Sequence, residues 1–278
     1  MSSLNIVFGK KGYISSNWKK NFKSKDKTIF VGKIECDLSN KDSINKFLKK
    51  YKNTSISIFL LSAIVRKKED NYLTYKKNIN MVNNLILILK NYSVNFFFFL
   101  SSTDIFEKKN SRPINEKSKL NNSNFYAKYK IESERLIKKN FNRNKICILR
   151  IPGVFGGIKD NQSTINSIKK DIINRKFLLY NKSLRSYVFI NDLIKFLNYI
   201  LNNQNKLILN FCSDEKYHIY EIYFLIIKKI DKIEKKREFK KSFETINNIY
   251  FDNSYFTEKF PNFKFTKLNK SLNILLKK

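Results

Sequence analysis

Short apolar segments that alternate with helical patterns are the feature that most limits how this chain can fold. Five segments read as strands, at residues 4–8, 28–31, 56–61, 94–100 and 146–151. They are apolar at almost every position, so we expect them to be buried on both faces, as in a parallel sheet covered by helices. Helices are expected from about Tyr13 and at residues 43–51, 72–91 and 125–141. Because crossovers between parallel strands are right-handed, this order predicts a doubly wound, Rossmann-like α/β sheet.

The regular alternation loosens after residue 152. We therefore expect a sheet domain at residues 1–152 and a smaller C-terminal lobe at residues 153–278, with segments that return to the core. A length of 278 residues suits one large α/β unit with an appended lobe. Hydrophobic residues make up 42% of the chain, which is enough for a buried core and excludes global disorder.

The strong positive charge is the first hint of a partner. The formal charge is +33, from 56 basic and 23 acidic residues, and such a balance raises the hypothesis of nucleic-acid binding. Only eight of the basic residues are arginine, the side chain whose planar fork reads bases and phosphates, and the lysines are spread along the whole chain. An A/T-rich coding composition explains this pattern, so nucleic acid is the less favoured partner. The field still attracts anionic small molecules such as nucleotides.

Several classes of protein are disfavoured by what the sequence lacks. No apolar run reaches the length of a membrane span, and the N-terminus does not have the pattern of a signal peptide, so we expect a cytoplasmic protein. Cys36, Cys147 and Cys212 are widely separated, which predicts neither a disulfide framework nor a zinc site. With His218 as the single histidine, we also expect no histidine-based metal centre.

Two glycines after the first predicted strand indicate a phosphate-binding turn. Gly9 permits a tight turn, and Gly12 lets the backbone approach a pyrophosphate that sits on the helix N-terminus, where Tyr13 and Ile14 begin the helix. At the third position of this spacing, where the helix packs on the strand, the chain has the small residue Ser15. A turn with two glycines is weak by itself, but its place in a parallel α/β pattern favours a dinucleotide site.

A serine, a tyrosine and a lysine form a candidate catalytic set. Tyr126 and Lys130 are four residues apart in a predicted helix, so they share one face. A tyrosine hydroxyl has a pKa of about 10, and a neighbouring ammonium stabilises the phenolate and lowers that pKa, which makes the residue a usable acid or base. Ser102, at the end of the fourth predicted strand, can hydrogen-bond the substrate oxygen whose proton Tyr126 moves.

With these motifs the sequence resembles the extended short-chain dehydrogenases/reductases, in particular the NAD-dependent epimerase/dehydratase family that acts on nucleotide sugars. The resemblance covers roughly residues 4–270 and extends to further segments of the chain. These segments are Asp37-Leu38, Leu61-Ser62-Ala63, Asn78, the run from Leu149 to Gly156, the run from Arg185 to Leu193, and Phe251 to Ser254.

The resemblance implies a role for each of these residues. Tyr126 would transfer the proton, Lys130 would bind the nicotinamide ribose and tune Tyr126, and Ser102 would orient the substrate oxygen. The first domain would bind the cofactor, NAD or NADP, through Gly9, Gly12, Tyr13, Ile14, Asp37, Leu38, Leu61, Ser62, Ala63, Asn78, Tyr126 and Lys130. The C-terminal lobe would mainly bind a nucleotide-sugar substrate, and the expected substrate contacts are Ser102, Thr103, Gly153 and Arg185.

Several alternatives stay open at this point. No acidic residue clearly ends the second strand, where Gly32 and Lys33 stand instead, and Lys33 leans weakly towards NADP without deciding between the two cofactors. Dehydratase-like relatives in the family that the sequence resembles have an acidic pair beside the catalytic serine or threonine, whereas only Asp104 follows Ser102 here, so the resemblance favours epimerisation or keto reduction over dehydration. A homodimer is a further expectation. The alternative function is a non-catalytic, dinucleotide-sensing or RNA-binding protein of the same fold.

Overall fold

The protein was examined as a computed structural model, which describes residues 4–65, 69–107, 113–160, 163–174, 183–230 and 248–276. Ten strands lie in these ranges, and most of them are short. They are β1 (Leu4–Phe8), β2 (Lys27–Val31), β3 (Ile56–Leu60), β4 (Val94–Ser102), β5 (Ile146–Ile151), β6 (Gly153–Phe155), β7 (Leu184–Arg185), β8 (Tyr187–Phe189), β9 (Leu207–Asn210) and β10 (Tyr217–His218).

Nine α-helices lie in the same ranges and alternate with the strands. They are α1 (Tyr13–Lys20), α2 (Lys41–Leu48), α3 (Tyr72–Leu89), α4 (Phe125–Asn140), α5 (Thr164–Ile173), α6 (Ile190–Asn203), α7 (Ile219–Ile230), α8 (Ser254–Lys259) and α9 (Leu268–Leu276). None of the helices in this described part of the chain is both long enough and apolar enough to cross a bilayer.

The main sheet has six strands in the order β2-β1-β3-β4-β5-β9, and the pairs β1–β2, β1–β3 and β3–β4 are parallel. The strand order reverses between β1 and β3, because the chain first adds a strand on one side of β1 and then continues on the other. Sheets of this kind bind ligands at such a reversal, outside the carboxyl ends of the strands. The predicted Rossmann-like α/β fold is confirmed.

Strand β4 illustrates why these segments form the centre of a layered fold. The four phenylalanines at positions 96–99 are all 0% exposed, although neighbouring side chains of a strand point to opposite faces. Phe98 stacks on Phe59 of β3 with ring centroids 5.4 Å apart, and Phe97 packs on Phe141 at 4.7 Å. Burial of each such ring contributes about 1.5–3 kcal/mol, so this strand is anchored from both sides of the sheet.

Asparagine, which is abundant in this chain, begins three of the helices around the sheet. The side chains of Asn40, Asn71 and Asn124 accept hydrogen bonds from backbone amides in the first turns of α2, α3 and α4. Each cap satisfies a donor that has no partner inside its helix, which is worth about 1 kcal/mol. The caps therefore define where the helices begin, including the helix that carries Tyr126.

The chain divides into two compact units. The first consists of Met1–Phe106, Lys119–Arg150 and Ile194–Leu209, and it includes the strands β1 to β4 and the helices α1 to α4. The second consists of Glu107–Ser118, Ile151–Leu193 and Asn210–Lys278, and it includes the pairs β6–β8 and β7–β10. A division of roles between a cofactor domain at 1–152 and a substrate lobe at 153–278 stays a prediction.

We predict that Gly9→Ala destabilises the protein by at least about 1–2 kcal/mol, because Gly9 has a φ of +108° that side chains rarely adopt. The new Cβ atom would also lie 3.0 Å from the backbone nitrogen of Ser62. Urea unfolding measures the loss. Gly153→Ala is the matched control, since its Cβ would meet only the ring of Tyr187, at 3.3 Å. Equal losses in the two variants would contradict the prediction.

Candidate active site

The turn after β1 has a shape that favours glycine. The Gly12 amide donates to the Gly9 carbonyl at 2.8 Å, which closes the turn directly before α1. A Cβ on Gly12 would lie 3.1 Å from that same oxygen, so a side chain there would crowd the turn. Gly12 is also the N-cap residue of α1 and contributes no side-chain cap. The first turn of α1 therefore has the features of a pyrophosphate site.

The first residues of α1 lie where the sequence placed them. Tyr13 and Ile14 are partly buried, and Ser15 is 1% exposed, so a small side chain occupies the position where the helix packs most closely. The Tyr13 carbonyl accepts a hydrogen bond from the Asn17 side chain at 2.9 Å. These contacts hold the start of the helix beside the glycine turn.

Asp37 and Leu38 lie in the loop between β2 and α2. The Asp37 carboxylate accepts hydrogen bonds from the backbone nitrogen and hydroxyl of Ser39, at 2.9 and 2.7 Å, and Lys33 Nζ is 3.4 Å away. Burial acts to raise the pKa of Asp37, but these hydrogen bonds and the lysine outweigh it and lower the pKa. Leu38 is 4% exposed. A contact of this loop with adenine stays a prediction.

The segment after β3 runs next to the glycine turn. The Leu61 amide donates to the Phe8 carbonyl at 3.1 Å, and Ser62 and Ala63 are partly buried beyond it. Asn78 on α3 is 1% exposed, and its side chain bonds both backbone groups of Ile64, at 2.8 and 3.0 Å. Asn78 thus holds this segment in place, which is a supporting contact that the motif alone did not reveal.

Ser102 is the last residue of β4 and the first of a short turn. Its hydroxyl oxygen accepts a hydrogen bond from the Asp104 amide at 3.1 Å, and the residues Thr103–Ile105 form a single 3-10 turn after it. This acceptor role leaves the hydroxyl proton of Ser102 available for a substrate oxygen. Ser102 is partly buried, whereas Thr103 is 8% exposed.

Tyr126 and Lys130 lie in the first two turns of α4. The Tyr126 amide donates to the Asp70 carboxylate at 3.0 Å, which together with the Asn124 cap fixes the start of the helix. Lys130 is 3% exposed, and its amine donates to the Leu100 carbonyl of β4 at 2.6 Å. This bond ties the lysine to the strand that ends at Ser102. The lysine amine is 5.6 Å from the centre of the Tyr126 ring.

The electrostatics of this pair differ from the expectation. The sequence predicted that Lys130 lowers the pKa of Tyr126, but burial and the nearby Asp104 carboxylate raise it instead. Burial also lowers the pKa of Lys130 from its ordinary value of 10.5 to about 7, and Glu134 offsets only part of that effect. Near neutral pH the hydroxyl of Tyr126 is therefore protonated, and Lys130 exchanges its proton easily.

The structure thus brings Ser102, Tyr126 and Lys130 together at the carboxyl end of β4, in the first unit. Gly153 and Arg185 lie in the second unit. Gly153 is exposed and pairs in register with Tyr187, and the Arg185 guanidinium donates to the Leu184 carbonyl at 3.0 Å. Their contacts with a substrate stay predictions.

Glu35 is a charged residue beside the glycine turn to which the sequence analysis gave no role. It follows the end of β2 by four residues, but the turn folds back, and its carboxylate accepts a hydrogen bond from the Gly32 amide at 3.0 Å. The same carboxylate pairs with Lys10 of the glycine turn, which lowers the pKa of Glu35. The glycine before the turn and the acid three residues later were the available signal.

The residues present fit a bound dinucleotide. The turn at Gly9 and Gly12 is so tight that Cβ atoms would crowd neighbouring backbone atoms, and α1 begins directly behind it, so the backbone at both glycines is bare of side chains. A nicotinamide supplies hydride chemistry when it is bound. In the described parts of the chain, no three His, Cys, Asp or Glu side chains are grouped to hold a metal ion.

We predict that Lys130→Met removes a pH-dependent part of the stability. In the wild type the amine has a pKa of about 7 when folded and an ordinary value of 10.5. Between these values the unfolded chain binds more protons, so stability rises with pH, by at most about 1.4 kcal/mol per unit from this group. Below pH 7 both states carry the proton, and the wild type bears the full cost of burying it.

The measurement is chemical unfolding of the wild type and Lys130→Met from pH 6 to pH 9.5. The stability difference between them should shift in favour of the wild type as the pH rises above 7. The exposed Lys139→Met on the same helix is the control and should leave that difference flat. Parallel curves for the wild type and Lys130→Met would contradict a buried, titrating amine.

Comparison with known proteins agrees with this geometry. A family model described as NAD dependent epimerase/dehydratase family matches residues 6–212. A curated relative, GDP-L-fucose synthase of Dictyostelium discoideum, is 24% identical in an alignment 255 residues long that covers 80% of this chain and 78% of that protein.

Solved structures resemble the fold over nearly the whole chain. A dTDP-4-dehydrorhamnose reductase from Clostridium acetobutylicum has a TM-score of 0.79 at 19% identity, covering 99% of this chain and 98% of its own. The Bordetella bronchiseptica enzyme WbmG, in complex with NAD and UDP, has a TM-score of 0.80 at 12% identity, covering 98% and 93%. A GDP-L-fucose synthetase from Naegleria fowleri bound to NADP has a TM-score of 0.77 at 19% identity, covering 99% and 93%.

The family match spans the glycine turn, the serine strand end and the helix of Tyr126 and Lys130. It confirms the predicted enzyme class and the predicted cofactor class, NAD or NADP, and it favours an enzyme over the non-catalytic alternative. The chain belongs to the NAD-dependent epimerase/dehydratase family, of the extended short-chain dehydrogenase/reductase type.

Proposed function

We propose that this protein reduces a keto group on a nucleotide-activated sugar, with Tyr126 as the proton donor. The observation that carries the proposal is the arrangement at the carboxyl end of β4, where the Lys130 amine bonds the Leu100 carbonyl at 2.6 Å and lies 5.6 Å from the centre of the Tyr126 ring, with Ser102 at the end of the same strand. Burial and the Asp104 carboxylate raise the pKa of Tyr126, so its hydroxyl holds a proton near neutral pH, and reduction of a carbonyl needs a protonated group beside the oxygen. Removal of a proton from a sugar hydroxyl would need the phenolate, which the same surroundings disfavour.

The protein groups have complementary roles in this reaction. A reduced nicotinamide cofactor, held at the turn of Gly9 and Gly12, would supply the hydride for the carbonyl carbon. The Tyr126 hydroxyl gives its proton to the carbonyl oxygen as negative charge develops there. The Ser102 hydroxyl donates a hydrogen bond to the same oxygen and so favours the charged form. Lys130 then stands one helical turn away with a proton that it can return to the phenolate.

Epimerisation is the second candidate. Dehydration is less favoured than either reaction, because it would be served by two acids and Asp104 alone follows Ser102. In an epimerase the same tyrosine must act as a base in one half of the reaction. The fall of the Lys130 pKa to about 7 makes a protonated lysine available to stabilise a phenolate only at the lower end of neutral pH. Reduction makes the smaller demand on this site.

The substrate class rests on charge and on the named relatives. GDP-L-fucose synthase, dTDP-4-dehydrorhamnose reductase and the UDP complex of WbmG all point to nucleotide-linked sugars or nucleotides. We assign the diphosphate of the substrate to Arg185, whose guanidinium is held by the Leu184 carbonyl, and the sugar to Ser102, Thr103 and Gly153. A formal charge of +33 favours the approach of such anions.

The test of Tyr126 is the variant Tyr126→Phe. We expect kcat to fall by about 10²–10⁴-fold with keto forms of nucleotide sugars, because the phenyl ring has no proton to give. The dissociation constants of NAD and NADP, measured by calorimetry, should stay close to those of the wild type. A variant that keeps its turnover would contradict the assignment.

Tyr129→Phe is the matched control on the same helix. The Tyr129 hydroxyl is buried and makes no hydrogen bond in the structure, so its loss removes neither a proton donor nor a polar contact. We expect its kcat to equal that of the wild type. If no nucleotide sugar is turned over by the wild type with either cofactor, the proposed function is wrong.

Cofactor choice has a physical basis in Glu35 and Lys10. We propose that these two residues face the ribose that carries a hydroxyl in NAD and a phosphate in NADP. An acid at the end of the second strand accepts hydrogen bonds from the ribose hydroxyls and repels the phosphate, whereas a basic residue accommodates it. Glu35 is anchored by the Gly32 amide, and Lys10 is anchored by Glu35, so each residue restrains the other.

Substitutions of Glu35 and of Lys10 should change the preference between NADP and NAD in opposite directions. Glu35→Gln removes the repulsion and should shift the ratio of the NADP and NAD affinities towards NADP by about tenfold, or 1.4 kcal/mol. Lys10→Met should shift the ratio towards NAD. Binding titrations with both dinucleotides give the ratios. Shifts of the same sign in the two variants would exclude this pair as the determinant.

A further inference from the structure

A buried ionic network connects the three elements around the candidate active site. Glu134 on α4 and Arg150 on β5 are 2% and 4% exposed in their side chains, and they meet in a two-pronged ion pair. Arg150 Nη2 lies 2.8 Å from Glu134 Oε2, and Arg150 Nε lies 3.0 Å from Oε1. Two parallel bonds of this kind fix orientation as well as distance.

The network reaches the strand that ends at Ser102. The hydroxyl of Ser101 donates to Glu134 Oε1 at 2.7 Å, and Ser101 is the residue immediately before Ser102. Lys138 approaches the other oxygen of Glu134 at 3.3 Å from the solvent side. The face of the Phe106 ring, just past the turn after Ser102, lies 5.2 Å from the Arg150 guanidinium carbon. One carboxylate is thus bonded from β4, from β5 and from its own helix.

The position of Glu134 on α4 connects the network to the candidate catalytic residues. Tyr126, Lys130 and Glu134 are spaced by four residues, so they lie on one face of the helix. Lys130 binds the Leu100 carbonyl, and Glu134 binds Ser101 on the same strand. The helix is therefore attached to β4 at two successive turns, and Tyr126 lies one turn further towards the N-terminus on that face.

A buried ion pair is a weak source of stability, because desolvation of the two charges offsets most of their attraction. Burial acts to raise the pKa of Glu134, and Arg150 and Ser101 outweigh it and lower the pKa, so the carboxylate stays charged. An arrangement that costs this much and stabilises little calls for another role. Geometric precision at Tyr126 is such a role, since a displacement of about 1 Å can cost 10²-fold in rate.

We propose that Glu134 and Arg150 are positioning residues that set the rotation and the axial position of α4, and thereby place Tyr126 and Lys130 against the reacting atoms. The proposal rests on the function proposed above, because it assigns these residues to the same proton transfer. Both side chains are almost fully buried, so they act through α4 and not through direct contact with a ligand.

The network has an electrostatic consequence as well. The charged and titratable groups around the Lys130 amine are Tyr126, Tyr129 and Glu134 on its own helix. From the other elements, Asp104 in the turn after β4 acts on Tyr126, and Arg150 on β5 acts on Glu134. Glu134 is the group that supports the protonated form of Lys130, so loss of its charge should move the titration of Lys130 to lower pH.

The first experiment needs no substrate. The free energy of unfolding is measured against pH for four proteins: the wild type, Lys130→Met, Glu134→Gln and the double variant Glu134→Gln/Lys130→Met. The effect of Lys130→Met is then compared between the wild-type and the Glu134→Gln backgrounds. The rise that belongs to Lys130 should begin at lower pH in the Glu134→Gln background. Glu132→Gln is the control, because its carboxylate bonds Tyr75 on α3. If the rise in stability that belongs to Lys130 has the same pH midpoint in both backgrounds, the electrostatic part of the proposal is wrong.

The second experiment separates positioning from folding. Glu134→Leu/Arg150→Met replaces the pair by apolar side chains and should fold with an unfolding midpoint near that of the wild type. We expect its kcat to be lowered by roughly 10- to 100-fold, with KM and the dinucleotide dissociation constants little changed. Full kcat in this folded variant would overturn the positioning role. If it does not fold, Arg150→Lys takes its place, since it keeps the charge and loses the two-pronged bond, and the same fall in kcat is expected.

The outcomes of these experiments distinguish a failure of the positioning proposal from a failure of the proposed function. If the wild type turns over no nucleotide sugar, the function is wrong, and the titration experiment still decides whether Glu134 controls Lys130. If the wild type is active, and neither the pH midpoint of the Lys130 titration nor kcat changes in the variants, the positioning proposal alone is wrong.

Discussion

Burial of the central strands on both faces is the constraint on which the rest of this structure depends. Along β1, β3 and β5 every residue is buried, and β4 carries four fully buried phenylalanines in a row. A polar group without a partner in such a layer costs several kcal/mol, about 2–7 by transfer measurements. The candidate site residues Gly9, Ser62 and Ser102 accordingly lie at or just beyond the strand ends.

Lys130 is a buried ionisable group on which the proposed chemistry depends. Its amine lies inside the fold over the rings of Phe99 and Tyr129, at 4.6 and 4.9 Å, and is held by one backbone carbonyl. The apolar surroundings weaken its hold on the proton, and the same surroundings strengthen the hold of Tyr126 on its own. The pair is thus suited to pass a proton outward through the tyrosine, and not to keep a permanent phenolate.

Most of the architecture could be predicted because it follows from local patterns. The order of strands and helices, the glycine turn and the start of α4 at Phe125 all follow from apolar periodicity and from residues such as Asn124 that begin helices. The direction of the pKa shift at Tyr126 could not be predicted in this way. It depends on the burial of the Tyr126 hydroxyl and on the charge of Asp104. Asp104 lies 22 residues before Tyr126 in the chain and comes close to it only in the folded protein.

By itself the sequence determined the fold class, the family and the set of residues at the carboxyl ends of the strands, because these depend on spacing along one chain. The tertiary structure decided which charges meet. Glu35 returns to Lys10 through a turn, and Glu134 reaches Arg150 across 16 residues and two elements. In a chain with 56 basic residues, each acid has many possible partners, and only the folded backbone selects one.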